Sequence, residues 1–118
     1  MNSLKIGKLG EDAACDYLKK KHYQILARNY RKKYGEIDII ARKANKLIFA
    51  EVKTRSGTGY GMPSEAVNFY KQQKIIKTAQ AYLLETRFDG EVTFDVLEVF
   101  LSGGTVLSVN HIENAFLT

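Results

Sequence analysis

Cysteine, proline and histidine are scarce in this 118-residue sequence, and each shortage closes an option. The single cysteine, Cys15, rules out an internal disulfide. With His22 and His111 as the two histidines, no Cys/His zinc cluster can be assembled, so any metal has to be held by oxygen ligands. No run approaches the ~18 apolar residues needed to cross a bilayer. The opening MNSLKIGKLGED also lacks the apolar stretch of a signal peptide, so a cytoplasmic location without a membrane partner is expected. With one proline and 45% hydrophobic residues, the chain reads as one globular domain over residues 1–118. A chain of this length buries about two thirds of its surface.

Basic residues are missing from the C-terminal part: no Lys or Arg follows Arg87. All 18 basic residues therefore fall in residues 1–87 against 8 acidic ones, a balance of +10, and the remainder carries −5. A basic field of that size attracts a polyanion, nucleic acid first among them, although a solvated basic face would carry the same charge.

The most informative stretch is Gly35 to Thr54, GEIDIIARKANKLIFAEVKT. Two runs rich in β-branched and apolar residues flank a polar break at Ala44-Asn45, which predicts an antiparallel hairpin. A two-residue turn there sets Asp38 opposite Glu51 and Glu36 opposite Lys53. Period-two alternation then gathers these four on one face with Ile40, Leu47 and Phe49, leaving Ile37, Ile39, Ile48, Ala50 and Val52 behind. Opposed like charges destabilise a strand pair unless something compensates them. A divalent cation would do so, and a simple Asp38–Lys53 surface ion pair is the alternative.

Around the hairpin, Leu4 to about His22 predicts a helix with Ser3 as N-cap and Ile6, Leu9, Ala13 and Tyr17 on its buried side. Gly7 and Gly10 suggest close approach of the backbone to a neighbour. Glu11 either reaches inward from a face of small residues or sits favourably near the helix N-terminus. Tyr23 to Tyr30 predicts a strand, followed by a basic turn at Arg31, Lys32, Lys33, Tyr34 and Gly35 whose cations suit phosphates. The interleaved tyrosines could stack on bases or pack into the sheet. A glycine-rich loop is expected from Arg55 to Met62, with Arg55 available to a phosphate. Pro63, Ser64 and Glu65 would open a second helix reaching Thr86, its buried stripe carrying Phe69, Gln72, Ile76, Ala79 and Leu83, and Lys74 and Lys77 on the opposite side. Gln72 there either meets polar partners at the open end of the hairpin or lies at a stripe edge. Two strands, Glu91 to Leu101 and Thr105 to Ile112, would complete the fold around Ser102-Gly103-Gly104, with Asp95 in a structural role and a helical turn from Glu113.

Gly7-x-x-Gly10-Glu11, Asn29-Tyr30-Arg31, Gly35-Glu36-Ile37-Asp38, Phe49 to Arg55 (FAEVKTR) and Lys71-Gln72 together resemble the YraN-like family of bacterial proteins. More broadly, Asp38 followed by Glu51-x-Lys53 on adjacent strands resembles the PD-(D/E)xK motif of restriction-endonuclease-like nucleases, and the family is similar to Holliday-junction resolvases. The resemblance implies an α/β fold: helix, three-stranded antiparallel meander, helix, then two further strands in a central mixed sheet. It implies Asp38 and Glu51 as ligands to Mg²⁺ or Mn²⁺, to which the Val52 carbonyl could add, with Lys53 as the catalytic lysine, Glu11 as an accessory acid and Gln72 as the polar position of the second helix. Arg31, Lys32, Lys33, Arg55 and Lys71 would contact nucleic acid, DNA with branches or other structure being the implied substrate. Cutting two strands would call for a symmetric dimer. Two positions depart from the pattern: Ile37 stands where the general motif has Pro, and Thr93, just before Phe94-Asp95, replaces a usual Arg, leaving the role of Asp95 open. A non-catalytic nucleic-acid-binding protein that keeps the fold is the alternative function.

Overall fold

A computed structural model describes residues 3–56 and 68–116. Helix α1 (Ser3–Lys20) precedes β1 (Gln24–Lys32), β2 (Gly35–Lys43) and β3 (Lys46–Ser56); α2 (Phe69–Thr86) precedes β4 (Glu91–Ser102) and β5 (Thr105–Phe116). The five strands form one sheet in sequence order, antiparallel throughout except for the parallel β3–β4 pair. That pair is bridged by the segment containing α2, as a crossover between parallel strands requires.

One helix covers each sheet face because β2, β3 and β4 are apolar on both sides. Ala14, Cys15 and Leu18 of α1 pack on Ile39, Ala41, Ile48, Ala50, Leu97, Val99 and Leu101. Ile75 and Ala79 of α2 share the other core with Ile37, Ile40, Leu47, Phe49, Phe94 and Phe116. There the rings of Phe49 and Phe94 stack at 5.5 Å, and Phe94 stacks on Phe116 at 5.1 Å. Among the described residues, no helix is long and apolar enough to cross a membrane.

The meander, the mixed sheet and the Ala44-Asn45 turn follow the sequence reading. The β2–β3 register runs as expected from Lys43↔Lys46 to Ile39↔Ala50. Several boundaries differ. Arg31 and Lys32 belong to β1, shrinking the basic turn to Lys33-Tyr34, and β3 extends through Arg55 and Ser56 where a loop was expected. Helix α2 opens at Phe69, capped by the Asn68 side chain accepting from the Lys71 amide at 2.9 Å. Pro63, Ser64, Glu65 and the glycines of 57–62 lie outside the described residues. Phe69 is 73% exposed and not part of the buried stripe; at 3.6 residues per turn it sits roughly 80–120° round the helix from Ile75 and Ala79. Of the two α1 glycines, only Gly10 is crowded: a Cβ there would run into Thr54 of β3, whereas nothing lies within 4 Å of one at Gly7. The expected last helical turn is instead the end of β5. Asn114 takes a left-handed φ of 52°, letting the strand bulge and continue to the buried Phe116.

Candidate functional site

Beyond Ile39↔Ala50 the two central strands separate, and the expected rungs Asp38–Glu51 and Glu36–Lys53 do not form as ladder pairs. The Val52 amide, which a regular ladder would pair with backbone, donates instead to Asp38 Oδ2 at 2.8 Å. On its other edge β2 pairs with β1 at Arg28↔Ile39 and Tyr30↔Ile37, with no rung between them at Asn29, whose φ is +52°. Asparagine tolerates that region better than most residues. The sheet therefore loses regular alternation at Asp38. Ile37 turns into the α2 core beside Ile40, correcting the expectation that it shares a face with Ile39.

The opening is a cleft of about 310 Å³ lined by Gly35, Glu36 and Asp38 of β2, Glu51, Val52 and Lys53 of β3, and Lys71, Lys74 and Ile75 of α2. Gly35 lets α2 come close: a Cβ there would sit 3.3 Å from that of Lys74 and 3.4 Å from Thr78 Oγ1. Lys74 thus faces the cleft rather than the opposite side, because Lys71, Lys74, Ile75 and Thr78 share the helix face docked here. Burial, and then the charge of Asp38, push the Glu51 carboxyl up to about 9. Burial raises Asp38 as well, outweighing the Val52 amide, and the charges of Glu11 and Glu36 add to the rise. The Lys53 ammonium is lowered by burial and by Lys71 beside it. Glu51 Oε1 is buried and has no hydrogen-bond partner.

Two hard oxygen donors with an unspent buried lone pair suit a small divalent cation. Among the described residues no group of three or more His, Cys, Asp or Glu side chains is arranged to hold an ion. The donor set therefore fits an ion that keeps several waters, as Mg²⁺ does, better than a full protein cage. Comparison with known proteins adds one decisive match: the model of an uncharacterised protein family, UPF0102, covers residues 10–99. The chain belongs to UPF0102. A UPF0102 protein of Caldanaerobacter subterraneus is 48% identical over 119 aligned positions, covering 98% of both chains. One from Clostridium botulinum is 51% identical over 114, covering 94% of this chain and 93% of its own. One from Dictyoglomus turgidum is 47% identical over 119, covering 98% and 100%. The YraN-like resemblance of the motifs is borne out at the level of this family.

The remaining residues expected at the site divide between cleft and scaffold. Glu11 lies mid-helix, not in a first turn, and outside the cleft; its Oε1 accepts from Arg28 Nη2 at 3.3 Å and Asn29 Nδ2 at 3.1 Å, tying α1 to the irregular position in β1. Val52 lines the cleft and commits its amide to Asp38. Gln72 is half-buried on α2 and does not line the cleft. Arg31 bonds Glu36 at 3.1 Å, Lys32 pairs with Glu85 at 2.6 Å, and Lys33 lies over the Tyr34 ring at 5.3 Å. Arg55 points its guanidinium at Glu98, Nη2 to Oε2 3.8 Å, and is 17% exposed. The sequence reading missed Lys74 and Glu98. Gly35 was a usable signal for the first, since a glycine in a strand marks close backbone approach.

On the opposite face Asp95 is fully buried. Its carboxylate accepts from Thr93 Oγ1 at 2.9 Å, from the Asn114 amide at 3.0 Å, and is bonded to His111 Nε2 at 2.7 Å. Burial works against its charge, but these bonds, that of His111 first, hold it below the usual carboxylate range. Thr93, the departure from the motif, thus supplies a hydroxyl donor where the pattern has Arg.

Proposed function

We propose that the protein is a metal-dependent endonuclease of the restriction-endonuclease-like type that hydrolyses phosphodiester bonds in DNA, with branched or otherwise structured DNA as its substrate class. The observation that carries this reading is the pairing of Asp38 with Glu51 in a cleft that also holds Lys53, with Glu51 Oε1 left unpartnered. Asp38, Glu51 and the Val52 carbonyl would hold Mg²⁺ or Mn²⁺. When bound, the ion would supply a Lewis acid for the scissile phosphate and acidify a water. Lys53, two residues along the same face, would position an attacking water or offset charge growing on the phosphate, and its partial burial would strengthen either effect. Lys71 and Lys74 reach into the cleft from α2 to receive phosphate oxygens. Glu11 acts from behind, fixing Asn29 and so the irregularity that presents Asp38.

The test is cleavage of junction, flap and linear DNA with Mg²⁺ or Mn²⁺ by the wild type and Asp38→Ala. The wild type should cut at least one of them, and the variant should lose roughly a hundredfold or more in rate. Equal cutting by both, or none by the wild type across the panel, would sink the proposal. A second reading, nucleic-acid binding without cleavage, draws on the three cleft lysines and on the lack of a third clustered acidic ligand among the described residues. Salt-sensitive binding with no metal-dependent turnover would favour it.

A further inference from the structure

Next to the cleft, on the same face of the sheet, lies a second polar group that the mechanism does not use. Glu98 of β4 is 1% exposed and is the register partner of Lys53. Its Oε1 accepts from Asn110 Nδ2 of β5 at 2.9 Å, and its Oε2 lies 3.8 Å from Arg55 Nη2, close enough for charge attraction but too long for a hydrogen bond. Arg55 Nε and Nη2 are buried with no hydrogen-bond partner. A guanidinium carries five donors in a fixed fork, and leaving buried donors unspent costs free energy unless a ligand takes them. The arrangement holds Arg55 in place by charge while leaving Nε and Nη2 of its fork without a bonded acceptor.

We propose that Arg55, held by Glu98 and Asn110, is a phosphate subsite that grips the backbone phosphate next to the one in the cleft. Arg55 lies two residues from Lys53 on one strand face, a separation of roughly 7 Å, comparable to one nucleotide step along a strand. A fork with free Nε and Nη2 suits two oxygens of one phosphate, as arginine–phosphate pairs commonly do. This deepens the nuclease reading and rests on it for the identity of the ligand, but it concerns binding rather than cleavage. Glu98 is a positioning residue: it touches no substrate and acts by aiming Arg55.

The experiment is equilibrium binding of a short single-stranded DNA to the whole chain without divalent metal, followed by anisotropy over a range of salt. The oligonucleotide set includes versions with one neutral methylphosphonate at each position in turn. Arg55→Gln should weaken binding roughly tenfold, the worth of one charge-assisted contact. It should also lower the salt slope by about one phosphate contact. One methylphosphonate position should cost the wild type affinity and cost the variant nothing further. Should Arg55→Gln unfold because it strands the Glu98 charge, the double variant Arg55→Gln/Glu98→Gln removes both charges and carries the same expectation. Unchanged affinity, slope and methylphosphonate profile in a folded variant overturn the subsite and leave the nuclease reading standing. Binding as expected with no metal-dependent cleavage of junction, flap or linear DNA overturns the nuclease reading alone, and no binding of the oligonucleotide by the wild type at low salt overturns the subsite.

Discussion

Two acidic centres lie on opposite faces of one sheet, and they solve the burial of charge in opposite ways. Asp95 collects a hydroxyl, an amide and an imidazole, and its carboxylate is held below the usual range. Asp38 and Glu51 crowd each other with one backbone amide apiece, from Val52 and from Asp38 itself, both are pushed upward, and Glu51 Oε1 has nothing to bond. Buried polar atoms in folded proteins are nearly always satisfied, and under the proposed reading this exception is where the metal would bind. One centre is architecture: Asp95 pins β5 to β4 through His111 and Asn114. The other costs the fold stability, as sites shaped for a ligand commonly do.

The largest expected effect separates the two by the sign of a stability change. Asp95→Ala removes the shared acceptor of three donors and should cost about 3 kcal/mol or more, since each buried donor left unsatisfied costs about 1–3 kcal/mol. Asp38→Asn keeps an oxygen for the Val52 amide and removes a carboxylate charge that burial and the nearby Glu11 and Glu36 disfavour, so in metal-free buffer near neutral pH it should be as stable as the wild type or more so. Urea unfolding of both variants checks this, and an equal loss in both would erase the distinction.

The pH dependence of stability should divide the same way. For Glu51 the folded value, about 9, lies above the ordinary 4.5. Between those values the folded chain keeps a proton that the unfolded chain has released, so metal-free stability falls as pH rises through that window, by at most about 1.4 kcal/mol per pH unit. Asp95 is lowered from 3.8 and works at the acid end: its contribution is present above that value and is lost as pH falls through the folded one. Glu51→Gln should flatten the alkaline side and leave the acid side alone. A variant that steepens or preserves the alkaline fall would show that Glu51 is not its source.

How much of this was legible in the sequence follows from the range over which each feature is decided. The hairpin is a local object: alternation and a two-residue break at Ala44-Asn45 set its register, and the structure keeps it as far as Ile39↔Ala50. The change of side at Ile37 was hidden because it depends on the left-handed Asn29 in another strand, which no count of period two in β2 can reveal. Lys74 was assigned to the wrong side for a similar reason. The apolar residues of α2 span a broad arc, and only docking over Gly35 decides which edge of that arc meets the cleft. Glu98 joins Arg55 through the parallel β3–β4 pairing, a contact between residues 43 positions apart that pattern reading has no means to register. That Asp38, Glu51 and Lys53 share one cleft was legible because they lie on adjacent strands of one hairpin, where short-range rules suffice.

The smallest expected effect probes the departure at Thr93, and it asks whether Asp95 needs all of its donors. Thr93 Oγ1 gives one of three bonds to the carboxylate, and His111 and Asn114 remain when it is removed. Thr93→Val keeps the shape of the side chain and deletes the hydroxyl, so the expected loss is about 1 kcal/mol, the net worth of one hydrogen bond. The acid limb of the stability profile should also shift toward higher pH, since one of the bonds favouring the charged carboxylate is gone. Both are readable from urea unfolding at a series of pH values. A loss comparable to that of Asp95→Ala would mean that Thr93 does more than donate one bond, and that the usual arginine at this position is replaced by packing rather than by hydrogen bonding. No change at all would mean that His111 and Asn114 already satisfy Asp95, and the contrast with the cleft would then rest on those two donors alone.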